Sequence, residues 1–535
     1  MRRYSFLAIA LLSAFPVISL FAANADQVAV REALRSMLFT VLVGWLVLLA
    51  MRLVTGEWSR ATLLTAGFVV LFFTYGQTYD LVEGLTLGGV ILGRHRWLFP
   101  VWGLAGVLWL YWVAIRGRRR SFAVTPLLAA GAVLVVLPLI PVAAQALSAL
   151  RSVPALPAPV SAQLSPSAGT GLPDIYYIIV DGYGRSDVLK DLYGIDNSSF
   201  VDFLESRGFF VASEARSNYS KTVLSLASSV NMRYLNDVIQ SQGVESTNRQ
   251  PLIRMIQNSE VRRTLEAFGY RTVGFETGYP PTELTDASLY FAPTATASSD
   301  AAYTWAPRGV NEFEILLLQT TALRPAIDKF TEDQSLALAL ISQPYLTHRR
   351  RILFTLERLP EIARMDGRTF TFAHILVPHP PFVFGRDGEE IVPTQPFRLM
   401  DIGTYPRPEY IERYRDQLLY VNTLLEKTID QVLSNSTSPP IIILQGDHGP
   451  GAYMDYRTPL TSNMRDRMSI LNAYLVPPEV ASHLYASITP VNSFRILLGG
   501  ILGGGRPILP DESYFTLDDS RLYDMQLVSE RATTD

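Results

Sequence analysis

Residues 175–184 read IYYIIVDGYG, and this run decides the fold. Six apolar, β-favouring residues in succession, Ile175 to Val180, leave no polar face for water. Such a strand is buried on both sides, as at the centre of a parallel sheet covered by helices. It runs directly into Asp181 and Gly182. An acid at the carboxyl end of a buried strand stands where open α/β sheets bind their ligands. Working outward, similar runs recur at Arg271–Glu276 (RTVGFE), Thr369–Leu376 (TFTFAHIL) and Ile441–Leu444 (IIIL). Helical patterns separate them at Ser199–Arg207, Ser259–Phe268 and Pro408–Leu433, the last with Tyr410, Tyr414, Leu418, Val421, Leu425 and Ile429 on one face. Alternating strands and helices predict an α/β domain with a mostly parallel central sheet over residues 174–535.

Upstream the chain changes character. Residues 1–150 hold twelve arginines, no lysine and five acids, a net of +7, and the whole chain stands at −3, so the remainder carries −10. Five apolar stretches, Tyr4–Phe21, Met37–Val54, Ala61–Tyr79, Trp97–Ile115 and Phe122–Leu150, are each near the length that crosses a bilayer. They explain a mean hydropathy of +0.18 in a 535-residue chain. An all-α transmembrane anchor of about five helices is therefore predicted for residues 1–150. With the N-terminus inside, Arg2, Arg3, Arg52, Arg60, Arg116, Arg118, Arg119 and Arg120 fall inside, and only Arg31, Arg35, Arg94 and Arg96 outside. The positive-inside rule then puts residue 151 onward on the outer face. Arg2-Arg3, an apolar run and Ala23-Asn24-Ala25 also fit a cleaved signal peptide. Cleavage would leave four crossings and the same final side.

The run Leu85–Leu92 is too short to span and is expected at the outer interface. No Asp, Glu or Lys lies within the five stretches, which argues against a transporter and for an anchor or a platform holding a lipid. Residues 151–173, rich in Pro, Ala and Ser, read as a tether. An acidic outer domain is not a nucleic-acid binder. Aromatics at 11% exclude a disordered chain, and the absence of cysteine excludes disulfides, thiolate nucleophiles and cysteine zinc sites.

Two strand ends carry ligand chemistry. Ile175–Val180 ends at Asp181, and Ile441–Leu444 leads into Gln445-Gly446-Asp447-His448-Gly449-Pro450. Carboxylate and imidazole beside glycine suit Zn²⁺ or Mn²⁺. Singly, an acid after a strand is more often a turn or helix cap. A third segment, Ser217 to Ser228 (SNYSKTVLSLAS), reads either as a capped helix with Leu224, Leu226 and Val230 inward, or as one with Thr222 at an anion-favouring N-terminus. A threonine there, touching a metal, can ionise and act as nucleophile.

Asp181, Thr222 in a Thr-x-x-Ser segment, and a late Gly-Asp-His-Gly, in that order, resemble the alkaline phosphatase/sulfatase superfamily of sulfatase-like hydrolases and transferases. The likeness is to its membrane branch, the lipoteichoic acid synthases and phosphoethanolamine transferases. It covers the whole chain in layout and about 174–235, 369–384 and 441–475 in motif. By that resemblance Asp181, Asp447 and His448 are metal ligands, and Thr222 is the nucleophile and also touches the metal. His379, in Val377-Pro378-His379-Pro380-Pro381, matches a substrate-side histidine that binds phosphoryl oxygens or protonates a leaving group. His374, inside its strand, reads as a hydrogen-bonded core residue. His348, in His-Arg-Arg-Arg, reads as solvated or near lipid headgroups, and His95 and His483 carry no context.

The departures from the pattern narrow the chemistry. No Cys/Ser-x-Pro-x-Arg signature exists for a formylglycine. The missing Asp-x-x-x-His pair of the two-metal phosphatases leaves one divalent metal, Zn or Mn. Thr458–Met464 lacks the further histidine usual in phosphoethanolamine transferases.

The resemblance implies a transferase that moves a phosphoglycerol- or phosphoethanolamine-like head group from a membrane phospholipid to a cell-surface glycan or lipid-linked acceptor, through a phospho-threonine. It implies a multi-pass protein of the bacterial cytoplasmic membrane, with the catalytic domain on the periplasmic or extracellular face and no nucleic-acid partner. A phosphodiesterase or sulfatase-like hydrolase with the same site is the alternative. A catalytically silent membrane scaffold of envelope assembly is the alternative from another class.

Overall fold

The computed structural model of the chain describes residues 2–24, 30–83, 85–87, 90–91, 94–116, 124–151, 172–293, 312–332, 337–393, 397, 399, 405–455, 458, 460–503, 506–516 and 521–535. Two compact units emerge. One comprises residues 1–152 with 305–344 and 393–397; the other comprises 153–304, 345–392 and 398–535. The tether at 151–173 lies outside the described residues except at its ends, as do residues 117–123 of the expected inner arginine cluster.

The first unit contains helices α1 (Arg2–Ala23), α2 (Val30–Thr55), α3 (Trp58–Val82), α4 (His95–Arg116) and α5 (Val124–Arg151). Four of them, α1, α2, α3 and α5, contain spans long and apolar enough to cross a membrane. α4, at 22 residues, occupies the fourth expected stretch. α1 packs against α2, α3 and α5, and Ile9, Leu12, Leu48, Ala61, Ala66 and Val69 form a shared interior. The run at 85–92 contains a two-stranded antiparallel pairing of Thr86–Leu87 with Val90–Ile91.

The contiguous division expected from the sequence is crossed at 305–344 and at 393–397. Helices Glu312–Gln319 and Arg324–Glu332 belong to this first unit. Phe313 and Leu317 bury with Val17 and Ala33, and Arg35 pairs with Glu314. Arg324 Nη1 donates to Asp80 at 2.6 Å, and His95 Nε2 stands 2.8 Å from Asp328. Gly76 permits the approach: its N–H donates to the Thr320 carbonyl at 2.9 Å, and a Cβ there would meet the Gln319 carbonyl at 2.0 Å. An apolar stripe four residues long, inside a stretch otherwise read as part of the outer domain, is the reason this docking was not anticipated.

The second unit is built on a seven-stranded sheet. Its strands are β1 (Ile175–Val180), β2 (Phe210–Val211), β3 (Arg271–Phe275), β4 (Leu289–Phe291), β5 (Thr369–Ile375), β6 (Ile441–Gln445) and β7 (Asn472–Leu475), in the order β2-β7-β6-β1-β5-β3-β4. β1, β3, β4, β5 and β6 are parallel, and β7 runs antiparallel to β6 and β2. The four apolar runs read from the sequence are thus the four central strands. β1 is buried along its whole length. Ile175, Tyr177 and Ile179 pack with Val223, Leu224, Leu226, Phe494 and Leu497. Tyr176, Ile178 and Val180 point the other way and are equally buried, so both faces of the sheet are covered. Helix Arg407–Asn435 buries the expected stripe from Tyr410 to Ile429. The three short strands β2, β4 and β7 have no run long enough to mark them in the sequence.

Candidate active site

Parallel pairing fixes where the chemistry collects. Val180 pairs with Ile375, and Ile179 with Gln445, so the chain leaves β1, β5 and β6 at one edge of the sheet. The loops that follow carry Asp181, His379, Asp447 and His448. All four side chains are buried.

His448 is the hub. Its Nδ1 stands 2.9 Å from the Gly449 carbonyl, which only accepts, so Nδ1 carries the proton and Nε2 a lone pair. That Nε2 lies 3.2 Å from Thr222 Oγ1, 3.4 Å from Asp181 Oδ1 and 3.5 Å from Asp447 Oδ2. Arg467 Nη2 approaches the same nitrogen at 3.2 Å while its Nε donates to the Ser220 carbonyl at 2.9 Å. Thr222 is the first residue of helix Thr222–Ser229; the preceding residue, Lys221, gives no side-chain cap. The helix thus has no side-chain cap at its first turn, and Thr222 Oγ1 is turned to His448 Nε2.

The scaffold around these groups is polar and fully engaged. Asp447 Oδ1 accepts from the N–H of Gly182 at 3.1 Å and of His448 at 2.9 Å. Ser217 and Ser225 hydroxyls donate to the Asp447 carbonyl at 2.5 and 2.7 Å. Gly182 holds φ +73°, a conformation that glycine adopts without strain, and its carbonyl accepts from Tyr414 Oη at 2.9 Å. His379 sits between prolines, with both Val377–Pro378 and Pro380–Pro381 cis. Its N–H donates to the Asp181 carbonyl at 3.0 Å, and its Nδ1 lies 2.5 Å from the Pro380 carbonyl. The His379 and His448 rings are 5.9 Å apart, centroid to centroid.

Two buried oxygens have no hydrogen-bond partner among the described residues: Asp181 Oδ1 and Asp447 Oδ2. A buried carboxylate oxygen without a donor is costly, and a divalent cation removes the cost. Burial alone would raise the Asp181 carboxyl, but the surrounding imidazoles of His379, His374 and His448 outweigh it and hold that carboxyl well below the usual range. Ligand atoms of Asp181, His379 and His448 lie within 4.8 Å of one another, as do those of Asp181, His374 and Asp447. The donor set, carboxylates with imidazole, fits Zn²⁺ or Mn²⁺.

Two histidines differ from their sequence reading. His374 is hydrogen-bonded in the core, as expected, through Nδ1 to Thr282 Oγ1 at 2.9 Å. Yet its Nε2 also lies 3.4 Å from Asp181 Oδ2, which brings it into the site. The available signal was an imidazole inside a buried strand, which needs partners. His348 is not solvated. Helix Ala337–Ile362 turns His348, Ile352, Leu356 and Leu359 inward on one stripe, and His348 Nε2 stands 3.1 Å from the Leu376 carbonyl. The flanking arginines masked that periodicity. Arg467 carried no sequence signal at all.

Burial, with Arg351 acting in the same direction, pushes the His348 imidazole down to about 3. The folded protein therefore keeps it neutral while the unfolded chain takes up a proton below about pH 6.5. Stability falls as pH drops through that window. Between pH 7 and 5 the His348 contribution is a loss of about 2 kcal/mol. His348→Gln is expected to remove about that much of the acid dependence in denaturant titrations at the two pH values.

No protein-family model matches the chain, and no curated protein matches it. Several solved structures do. The integral membrane lipooligosaccharide phosphoethanolamine transferase A of Neisseria meningitidis matches at 10% identity over 94% of this chain and 99% of its own, with a TM-score of 0.39. The C-terminal periplasmic domain of EptC from Escherichia coli, in complex with Zn, matches at 10% identity over 66% of this chain and 92% of its own, with a TM-score of 0.38. An alkaline phosphatase superfamily protein of Vibrio parahaemolyticus matches at 11% identity over 66% and 75%, with a TM-score of 0.34.

Proposed function

We propose that this chain is a membrane-anchored, metal-dependent phosphotransferase that moves a phospholipid head group, phosphoglycerol- or phosphoethanolamine-like, to a hydroxyl of a cell-envelope glycan or lipid-linked saccharide. The observation that carries the reading is the convergence of Thr222 Oγ1, Asp181 and Asp447 on His448 Nε2, at 3.2, 3.4 and 3.5 Å. The resemblance of the same residues to the membrane phosphotransferases supports it. A divalent cation held by Asp181, Asp447, His448 and Thr222 would lower the pKa of the threonine hydroxyl and offset charge on the phosphoryl oxygens.

Thr222 stands at a helix N-terminus, where the dipole and free N–H groups favour the anionic form and an anionic phosphoryl group. Its Oγ1 forms a bond to phosphorus as the bond from phosphorus to the diacylglycerol oxygen breaks. The hydroxyl proton ends on that oxygen, relayed by His379, whose Nδ1 stands at the Pro380 carbonyl. In the second half the acceptor hydroxyl bonds phosphorus, the bond to Oγ1 breaks, and a proton returns to Thr222. The apolar helices keep the site at the surface that holds its donor, which raises the effective donor concentration. The arginine distribution supports a catalytic unit on the outer face of a bacterial cytoplasmic membrane.

The full chain in vesicles of phosphatidylglycerol and phosphatidylethanolamine tests this. Diacylglycerol should be released in the presence of Zn²⁺ or Mn²⁺, stop on chelation and resume on metal add-back. No release from either lipid under any of these conditions contradicts the proposal.

A further inference from the structure

We infer that the helical unit holds a binding site for the head group of an anionic phospholipid, built at one end of the bundle by Arg2, Arg52 and Trp58. The site requires only that α1, α2 and α3 lie in a bilayer, for which each contains a span long and apolar enough. It does not depend on head-group transfer.

Three helix ends meet there. α1 begins at Arg2, α2 carries Arg52 in its last turn, and α3 begins at Trp58. Arg2 Cζ lies over the Trp58 ring, 5.8 Å from its centroid, and Arg52 Cζ lies over the same ring at 5.4 Å. Phe6 holds the indole, with ring centroids 5.7 Å apart, and its own carbonyl accepts from Trp45 Nε1 at 3.0 Å. One aromatic ring therefore carries two guanidinium groups, at the end of a bundle where tryptophan and arginine meet lipid head groups.

No acid of the chain neutralises them. In residue order, eight of the twelve arginines of residues 1–150 fall at this end, with only one of the five acids, Glu57. Glu57 is already taken by Arg60, whose Nε lies 3.1 Å from its Oε2. Among the described residues no carboxylate pairs with Arg2, Arg3 or Arg52, and Arg52 Nε is buried without a hydrogen-bond partner. The opposite end is built differently, since Arg35 pairs there with Glu314 and Arg324 with Asp80. Two like charges on one ring repel each other. A phosphodiester removes that repulsion and matches the planar fork of each guanidinium. Glu57 also gives α3 no side-chain cap, so the N–H groups of its first turn lack a side-chain acceptor at the same end. Basic pockets between membrane helices take multiply charged lipid head groups in this way. Two unpaired arginines suit a lipid with two phosphodiesters, cardiolipin.

The test is lipid retention by the full chain in detergent, delipidated, titrated with cardiolipin, phosphatidylcholine or inorganic phosphate, and read by native mass spectrometry. Wild type should retain one cardiolipin at concentrations where phosphatidylcholine is lost. Arg2→Gln and Arg52→Gln should each weaken that retention about fivefold, the scale of one arginine at an anionic lipid, and Arg52→Lys should weaken it less. Arg96→Gln removes the same charge at the opposite end, where Arg96 lies over Trp97 at 5.4 Å, and should leave retention unchanged. Equal retention of cardiolipin and phosphatidylcholine by wild type overturns the site. So does an equal loss in Arg52→Gln and Arg96→Gln, which would mean attraction by bulk charge alone. Inorganic phosphate held as tightly as cardiolipin would overturn the lipid as occupant.

Discussion

Thr222→Ala is expected to lower head-group transfer by on the order of 10⁴-fold or more, the scale of losing a covalent nucleophile rather than a binding contact. The methyl side chain cannot form a bond to phosphorus, and nothing else in reach replaces it. Ser217 and Ser225 hydroxyls are both turned to the Asp447 carbonyl, and the Ser220 hydroxyl accepts from the Thr516 N–H at 3.1 Å. Thr222→Ser keeps the oxygen and should retain a measurable fraction of the activity. Neither change touches a core contact, since Oγ1 faces His448 Nε2 rather than the apolar cluster around Val223 and Leu224. Thermal unfolding of the Ala variant should therefore stay close to wild type. Retention of full metal-dependent transfer by Thr222→Ala would remove the nucleophile assignment.

The second large effect is a crossed one, at Asp447. In Asp447→Asn the amide oxygen can take over the role of Oδ1, accepting from Gly182 and His448 N–H. What is lost is the charge at Oδ2, which has no hydrogen-bond partner. In the stripped protein that charge is buried in a cluster with Asp181, so removing it should leave stability unchanged or raise it. In the loaded protein the sign reverses. A ligand at a thousand times its Kd stabilises by about 4 kcal/mol, and a variant that no longer binds gains none of it. Denaturation with and without Zn²⁺ or Mn²⁺ should show wild type rising on loading and Asp447→Asn staying flat. A variant that is strongly destabilised when stripped and still responds to metal would make Asp447 a structural residue only.

The sheet could be read from residue order because two of its central strands have no polar face: IYYIIV and IIIL are meaningful only if covered on both sides, and each is a parallel central strand, as is TFTFAHIL. Their ends then pointed to the candidate site, since a parallel sheet brings every strand exit to one edge. Three things lay beyond that reach. The strands of two to four residues at the sheet's edges are defined by their partners, not by their own composition. His374 and His348 are placed by packing: one turns toward Asp181, and the other lies on an inward helical stripe hidden by three arginines. The helices Glu312–Gln319 and Arg324–Glu332 are held to the apolar unit by Arg35–Glu314, Arg324–Asp80 and His95–Asp328, pairs that are hundreds of residues apart in the chain and have no local signature.

The proposed transfer passes through a covalent phospho-threonine, which mass measurement of the Thr222 peptide detects. The full, metal-loaded chain is incubated with phospholipid and no acceptor, quenched in acid and digested. The peptide should gain the mass of the phosphorylated head group at Thr222, in proportion to diacylglycerol released, and lose it when acceptor is added. Diacylglycerol released over many turnovers with the Thr222 peptide unmodified at every time point would contradict it.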